Sequence, residues 1–152
     1  MKLQKVLNLF NVAIYIRLSR EDGDKEESDS VGNQRKLLTE YVSRHDNFIL
    51  YDIYIDDGFT GTNFNRPAFQ KMIADIEDKK VNCVVVKDLS RFGRDYIDTG
   101  RYLERIFPEL GVRFISVSDN IDSIKQAYDI IILLVQIGFY QFQNMIDVTM
   151  LW

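Results

Sequence analysis

Short apolar runs alternate along the chain with amphipathic stretches. Four of these runs have the length and composition of buried strands, and they cover residues 11–17, 48–55, 81–87 and 112–117. The stretches between them carry apolar residues three and four positions apart, as one face of a helix does. Since parallel strands are joined by crossover helices, the pattern predicts an α/β fold with a mostly parallel central sheet flanked by helices.

Three helices are predicted between the strands. The first runs from Ser30, a favourable capping residue, to about Arg44. The second opens at Pro67, because proline is preorganised for the first helical turn. The third follows a loop over residues 88–95 and is ended by Gly111. Its inward face is expected to carry Leu103, Ile106, Phe107 and Leu110, with a kink in its last turn at Pro108.

The chain from about residue 126 onward is again apolar and predicts a further helix. Its apolar face is broader than a surface helix needs, and it carries Ile131, Leu134, Val135, Phe139, Phe142, Met145 and Ile146. A helix of this kind is either deeply buried or part of an interface. We therefore divide the chain into a globular domain, residues 1–125, and the start of a long C-terminal oligomerisation helix, residues 126–152.

The composition is that of one folded domain with an acidic balance. The chain has 152 residues, of which 46% are hydrophobic, and a formal net charge of −4. This charge argues against a free-standing DNA-binding domain, since those are usually basic. One cysteine and one histidine exclude a disulfide framework and a zinc-ligand set. Cys83 lies in an apolar run and is expected to be a buried hydrophobe.

The sequence predicts neither a membrane segment nor an export signal. The apolar run at residues 130–135 is too short to cross a bilayer, and residues 1–10 lack a small-residue cleavage site. No membrane partner is therefore expected, and the expected location is the cytoplasm.

Candidate chemistry lies at the carboxyl ends of two predicted strands, where open parallel sheets bind ligands. The first strand leads to Arg17 and Ser19, which a two-residue period places on the same side of the chain. The third strand leads to Arg91 and Arg94, whose spacing brings them together on a helical turn. Arg66 stands at the start of a predicted helix, where the helix dipole favours anions.

Several arginines around one serine indicate a nucleophile that faces a phosphodiester. Arginine stays charged and offers a planar fork of donors to phosphate, and fixed cations stabilise the charge of a pentacovalent centre. No carboxylate pair of convincing metal-binding spacing accompanies the arginines, so neither a metal nor another cofactor is expected. On the residues alone a commoner interpretation stays open, namely arginines that are solvated or salt-bridged on the surface.

Residues 15–19 (Tyr-Ile-Arg-Leu-Ser) resemble the Tyr-x-Arg-(Val/Leu)-Ser opening of the resolvase/invertase superfamily, the serine recombinases. Further motifs of that family follow in order: Gln34, residues 54–61 (Tyr-Ile-Asp-Asp-Gly-Phe-Thr-Gly), residues 66–69 (Arg-Pro-Ala-Phe) and residues 88–95 (Asp-Leu-Ser-Arg-Phe-Gly-Arg-Asp). Each motif is weak alone, but their order and spacing are specific. The last motif is most similar to the large serine recombinases of transposons and other mobile elements.

The resemblance implies a site-specific DNA recombinase with a resolvase-like catalytic domain. Ser19 matches the nucleophile that attacks the scissile phosphate and forms a 5′-phosphoserine, leaving a free 3′-hydroxyl. The arginines that match the phosphate-binding and serine-activating positions are Arg17, Arg66, Arg91 and Arg94. Gln34 matches a residue at the periphery of the site. The resemblance also implies that neither ATP nor metal is needed, that DNA is the substrate, and that the protein associates into a dimer and a synaptic tetramer.

Two departures from the family pattern affect these expectations. Small resolvases usually have aspartate where this chain has Ser90, and that aspartate is a candidate general acid for the leaving 3′ oxygen. Asp88 is expected nearby, and either it or an arginine is left as the acid. Second, the family continues through a long helix into DNA-binding domains, whereas this sequence ends at Trp152. We therefore expect a truncated or altered C-terminal helix, and an isolated domain that is inactive without its DNA-binding region.

Two other interpretations stay open. The chain could be a recombinase remnant that folds and associates through its C-terminal helix but does not recombine. A flavodoxin-like regulatory or nucleotide-binding domain is more distant, since no glycine-rich phosphate loop follows the first strand.

Overall fold

The computed structural model of the protein describes residues 8–18, 31–58, 66–93 and 95–124, together with residues 135, 137 and 138. Its strands are β1 (Phe10–Leu18), β2 (Phe48–Asp57), β3 (Cys83–Val86), β4 (Arg113–Ser116) and β5 (Ile121–Asp122). Its helices are α1 (Val31–Ser43), α2 (Pro67–Glu77), α3 (Leu89–Phe92), α4 (Tyr96–Gly100) and α5 (Phe107–Glu109), and a π-helical segment, Arg101–Ile106, joins α4 to α5.

In the described part of the chain the strands form one sheet in the order β2-β1-β3-β4-β5. The first four strands pair in parallel, and β5 pairs antiparallel with β4. The predicted α/β class with a mostly parallel sheet is therefore confirmed, and the short antiparallel edge strand is an addition to it. Since β2 and β3 lie on opposite sides of β1, the chain direction across the sheet reverses there. In open α/β sheets ligands bind at such a reversal, outside the carboxyl ends of the strands, which here are the ends of β1 and β3.

The two faces of the sheet carry separate apolar cores. Alternate residues of a strand point to opposite faces. On one face Val12, Ile14 and Ile16 of β1 pack against α1. On the other face Ala13 and Tyr15 pack against α2 and an aromatic group formed by Phe69, Phe92, Tyr102, Phe107 and Phe114. The sheet is therefore buried on both sides, as the apolar strand runs predict.

The first two predicted helices are confirmed within one residue of their expected starts, as α1 and α2. The prediction of a loop over residues 88–95 is partly wrong, because its first half contains α3. This short helix forms because the Asp88 carboxylate caps it, accepting a hydrogen bond from the Arg91 backbone N–H at 3.1 Å. Cys83 is fully buried, as expected.

The third predicted helix consists of α4, the π-helical segment and α5 in succession. The prediction that Leu110 faces the core is wrong, because Leu110 is 44% exposed. Leu103 and Phe107 are buried, as predicted. The π-helical segment explains the difference, because its wider turn rotates the following residues away from a 3.6-residue period. Gly111 ends the helix with a φ of +68°, a conformation that favours glycine.

The predicted C-terminal helix, residues 126–152, lies outside the described residues except at three positions. Val135, Ile137 and Gly138 are helical, and Ile137 packs against the core on the α2 face. Within the described ranges, no helix is both long and apolar enough to span a bilayer.

Candidate active site

The candidate site lies at the edge of the sheet formed by the carboxyl ends of β1 and β3. Arg17 is the penultimate residue of β1, and its register partner on β2 is Asp56. The chain leaving β3 passes Asp88 and turns into α3, which carries Ser90 and Arg91. Because these strands are parallel, their ends lie on one edge of the sheet, and residues far apart in sequence meet there.

Arg17 ties the end of β1 to α3. Its side chain is fully buried, and Nη2 donates a hydrogen bond to the Ser90 carbonyl oxygen at 2.8 Å. It shares the face of β1 that carries Tyr15, by the two-residue period of the strand. The guanidinium is therefore a fixed positive charge directly beneath the turn that displays the Ser90 hydroxyl.

Arg66 is held by the other end of α3 and by aromatic rings. Its side chain is 1% exposed, and Nη2 donates to the Phe92 carbonyl oxygen at 2.6 Å. The guanidinium carbon lies 5.3 Å from the centre of the Tyr15 ring and 5.1 Å from that of Phe69, within cation–π range of both. Burial lowers the pKa of Arg66, and the nearby Tyr15 and Asp56 oppose this effect. Arg66 keeps its charge at neutral pH.

Asp56 is a buried carboxylate that the sequence analysis did not single out. It is 2% exposed and accepts hydrogen bonds from the backbone N–H groups of Ala68 and Phe69, each at 2.9 Å, at the start of α2. It also accepts from the Tyr15 hydroxyl at 2.9 Å. In the sequence Asp56 belongs to an Asp-Asp-Gly turn, a pattern that is typical of exposed residues, so the sequence does not indicate that its side chain faces inward.

The α3 turn is organised by Asp88. Its Oδ1 accepts from the Ser90 hydroxyl at 2.5 Å and from the Arg91 backbone N–H at 3.1 Å, while Oδ2 lies 4.0 Å from Arg91 Nε. The expectation that Asp88 lies near Ser90 is met in the structure. Its observed contacts are those of an acceptor that caps α3, and they orient Ser90 and Arg91 relative to each other.

A second carboxylate, Asp119, fixes the same turn from the loop between β4 and β5. Its Oδ2 accepts from the backbone N–H of Leu89 at 2.7 Å and from the buried Ser116 hydroxyl at 2.7 Å. The sequence analysis did not identify Asp119, because nothing local to it indicates a contact with a residue 30 positions away.

Gln34 and the remaining candidates are placed differently. Gln34 is 1% exposed in the first turns of α1, on the sheet face opposite α2. Ser19 and Arg94 lie outside the described residues. The structure therefore brings Arg17, Arg66 and Arg91 together around one four-residue helix, with Arg17 and Arg66 bound to its backbone carbonyls. Within the described ranges, no three His, Cys, Asp or Glu side chains are grouped as metal ligands.

Comparison with known proteins shows that the sequence and the fold of this chain are similar to those of recombinase domains. Residues 12–146 match the family model of the resolvase N-terminal domain. The N-terminal catalytic domain of TP901-1 integrase is similar in structure, with a TM-score of 0.71, 30% identity, and coverage of 90% of this chain and 98% of that one. A resolvase family site-specific recombinase from Streptococcus pneumoniae gives a TM-score of 0.69 at 28% identity, with 93% of both chains covered.

A shorter similarity connects the chain to a phage protein. The uncharacterized immunity region protein 3 of Bacillus phage phi105 is 33% identical over 67 residues, which are 44% of this chain and 79% of that protein.

Proposed function

This chain belongs to the resolvase N-terminal domain family of serine recombinases, and from that premise we propose that it cuts and rejoins DNA at specific sites through a 5′-phosphoserine intermediate on Ser19. The observation that carries the proposal is the convergence of Arg17, Arg66 and Arg91 on α3. This helix lies beside the end of β1, the strand that leads directly to Ser19. Fixed guanidinium groups are suited to a phosphodiester whose negative charge grows as it is attacked.

The arginines and the serine have separate roles in the proposed cleavage step. The Ser19 Oγ–P bond forms while the P–O3′ bond breaks; the serine releases its proton, and the 3′ oxygen leaves as a hydroxyl after taking up a proton. Arg17, Arg66, Arg91 and Arg94 hold the phosphate and stabilise its charge. Rejoining is the same exchange in reverse, with a 3′-hydroxyl attacking the phosphoserine. The bond energy is thereby kept in the ester.

Ser90 and Asp88 support this site in the proposal. The Ser90 hydroxyl donates to Asp88, so its oxygen lone pairs are left to face a ligand at the exposed surface of α3. Asp88 accepts hydrogen bonds from the Ser90 hydroxyl and the Arg91 backbone N–H and faces the Arg91 guanidinium with its other oxygen, which favours an arginine over Asp88 as the acid that protonates the leaving oxygen. Gln34 is assigned to the periphery of the site.

DNA and further copies of the chain are the proposed partners. Residues 1–125 form the catalytic domain in this proposal, and residues 126–152 begin a helix through which copies associate into a dimer and a synaptic tetramer. The net charge of −4 predicts weak DNA binding by the domain alone, so the proposed activity depends on a separate DNA-binding region, acting in the cytoplasm on a mobile element.

A covalent adduct is the direct test of this function. A protein that carries this domain together with its DNA-binding region is incubated with fragments of the genome that encodes it, the reaction is stopped with denaturant, and DNA that stays attached to protein is recovered. We expect a 5′-phosphoserine located at Ser19 by mass spectrometry, and no adduct from Ser19→Ala. An adduct on another residue would refute the assignment of Ser19. Absence of any adduct, together with self-association, would favour the non-recombining interaction module.

A further inference from the structure

The turn between β4 and β5 brings the Asp119 carboxylate to the start of α3. Just beyond β3 and β4 the two backbones stay paired, because the N–H groups of residues 117–118 donate to the carbonyl oxygens of residues 86–87 at 3.0 and 2.7 Å. Two residues further along, the Leu89 N–H donates to the Asp119 side chain at 2.7 Å. The carboxylate therefore continues the pairing of the two segments beyond the point where their backbones separate.

The Asp119 carboxylate is held in place by its own hairpin. Its Oδ2 also accepts from the hydroxyl of Ser116, the fully buried last residue of β4, at 2.7 Å. The Arg113–Asp122 ion pair ties β4 to β5, with Nη2 and Oδ2 2.6 Å apart. Asn120 bends the turn with a φ of +55°, a conformation that asparagine adopts more readily than most residues. The carboxylate is thus presented to α3 from a hairpin that is bonded across both of its strands.

The helix α3 depends on such outside contacts for its orientation. It has four residues, too few to be stable through its own backbone hydrogen bonds. Leu89 and Phe92 anchor it in the apolar core, but apolar packing is not directional and does not fix the rotation of the helix. Hydrogen bonds are directional. At the amino end they are supplied by two carboxylates, Asp88 to the Arg91 N–H and Asp119 to the Leu89 N–H.

The carbonyl oxygens of α3 are bound by groups of a different kind. Arg17 donates to the Ser90 carbonyl and Arg66 to the Phe92 carbonyl. Both arginines are ligands of the phosphate in the proposed function, whereas Asp119 is not. The Asp119 contact therefore holds α3 in place without taking part in binding the substrate.

We propose that Asp119, acting through the Leu89 N–H, is a positioning residue that sets how α3 presents Arg91 to the phosphate. The role of Arg91 rests on the proposed function, but the placement of α3 is a property of the chain without DNA. Asp119 does not touch the phosphate in this assignment. Its effect reaches the site through the backbone of α3.

Three variants separate this contact from general stability. Asp119→Ala removes the acceptor, and because Asp119 is exposed, the change opens no cavity in the core. Asp119→Asn is the conservative variant: both hydrogen bonds end on Oδ2, so a single amide oxygen is able to keep them. Ser123→Ala is the matched control, because the Ser123 hydroxyl oxygen accepts from the Phe114 backbone N–H at 2.8 Å. That bond is of the same type and in the same hairpin, and it involves no atom of α3.

The first measurement is residue-resolved amide hydrogen exchange of the ¹⁵N-labelled chain without DNA, taken relative to the amides of β1. In Asp119→Ala we expect exchange at least about 10-fold faster at Leu89, which loses its acceptor, and at Arg91 and Gly93, whose N–H groups donate within the α3 turn. Ser123→Ala should leave these three amides unchanged. Unchanged exchange in Asp119→Ala, a change confined to Leu89, or an equal change in Ser123→Ala would overturn the proposal.

The second measurement connects the placement of α3 to chemistry, in the protein that carries this domain together with its DNA-binding region. Asp119→Ala should slow single-turnover phosphoserine formation at saturating DNA by about 10-fold to 100-fold without changing DNA affinity, as small misplacements of reacting groups do. Asp119→Asn should recover most of the rate, and Ser123→Ala should keep the unmodified rate.

Two outcomes of the rate measurement would overturn the role in phosphate positioning. One is an unchanged rate in Asp119→Ala, and the other is a loss that Asp119→Asn does not recover. If the unmodified protein forms no adduct, the proposed function fails, and the exchange measurement alone decides whether Asp119 positions α3.

Discussion

Replacement of Asp122 by asparagine should destabilise the fold strongly without touching the candidate site. Asp122 on β5 accepts two hydrogen bonds from Arg113 on β4, from Nε at 2.9 Å and from Nη2 at 2.6 Å. Both side chains are about nine-tenths buried. The Arg113 guanidinium also lies 4.8 Å from the centre of the Phe10 ring and 5.2 Å from that of Phe48. The carboxylate thus neutralises a cation that is enclosed by aromatic side chains.

The expected magnitude follows from the charge that is left behind. In Asp122→Asn the new side chain would keep the shape and one oxygen acceptor but would turn an amide N–H₂ group toward the Arg113 donors. Breaking a buried ion pair from one side costs about 3–5 kcal/mol, because the remaining charge has no counterion. That is a large part of the roughly 5–15 kcal/mol by which domains are stable. For a chain of this length it corresponds to a fall in Tm of about 6–20 °C.

Urea unfolding followed by far-ultraviolet circular dichroism measures this cost. The double variant Arg113→Met/Asp122→Leu should recover most of the loss, since an apolar pair replaces a buried ion pair with little net change. Asp52→Asn is the matched control. The Asp52 carboxylate lies 3.5 Å from the Lys71 ammonium group, but the Lys71 side chain is largely exposed and that of Asp52 about half exposed, so the expected change is within about 0.5 kcal/mol. A loss of less than about 1 kcal/mol in the free energy of unfolding of Asp122→Asn would refute the reasoning, because the Arg113 guanidinium would then be hydrated in the variant and not a buried, unpaired charge.

Three further changes test other contacts. Burial raises the pKa of the Cys83 thiol from 9.0 to about 12, so a thiol reagent at pH 8 should label Cys83 only in urea. The buried neutral thiol contributes to the free energy of unfolding below about pH 9, and this contribution is lost as the pH rises toward 12. Gly111→Ala meets no neighbouring atom but is strained at a φ of +68°, and urea unfolding should show a loss of about 1 kcal/mol. Asp119→Ala leaves the Leu89 N–H and the Ser116 hydroxyl without their acceptor and should cost about 1–3 kcal/mol in the same assay.

The sheet could be predicted from the sequence because its signal is local. Strands buried on both faces are recognisable as short apolar runs, and the run at residues 11–17 became β1 with one residue added at each end. Leu110 was wrongly assigned to the core for a physical reason. The prediction applied a 3.6-residue period throughout the helix, but Arg101–Ile106 is π-helical and has a wider turn. No local sequence pattern indicates this segment.

The candidate site could be predicted only in part, because its arginines have family motifs and their partners have none. Arg17 and Arg66 were identified by position, but the contacts that hold them come from carbonyl oxygens of α3, 73 and 26 residues away. Backbone carbonyls carry no sequence signal. Asp56 is likewise 41 residues from Tyr15, and its role appears only when β1 and β2 are paired in register.

Asp88 shows how the described geometry changes a chemical assignment. From the sequence it was a candidate acid, because it stands two residues from the position where small resolvases carry aspartate. A general acid must hold a proton to give away, whereas Asp88 accepts from the Ser90 hydroxyl and the Arg91 N–H, both on its Oδ1, and faces Arg91 Nε with its other oxygen. Each of these contacts is stronger with the ionised carboxylate. Protonating Asp88 would weaken the cap that shapes α3, so the same carboxylate is poorly suited to both tasks, and the source of the leaving group's proton is better sought among the arginines that surround the turn.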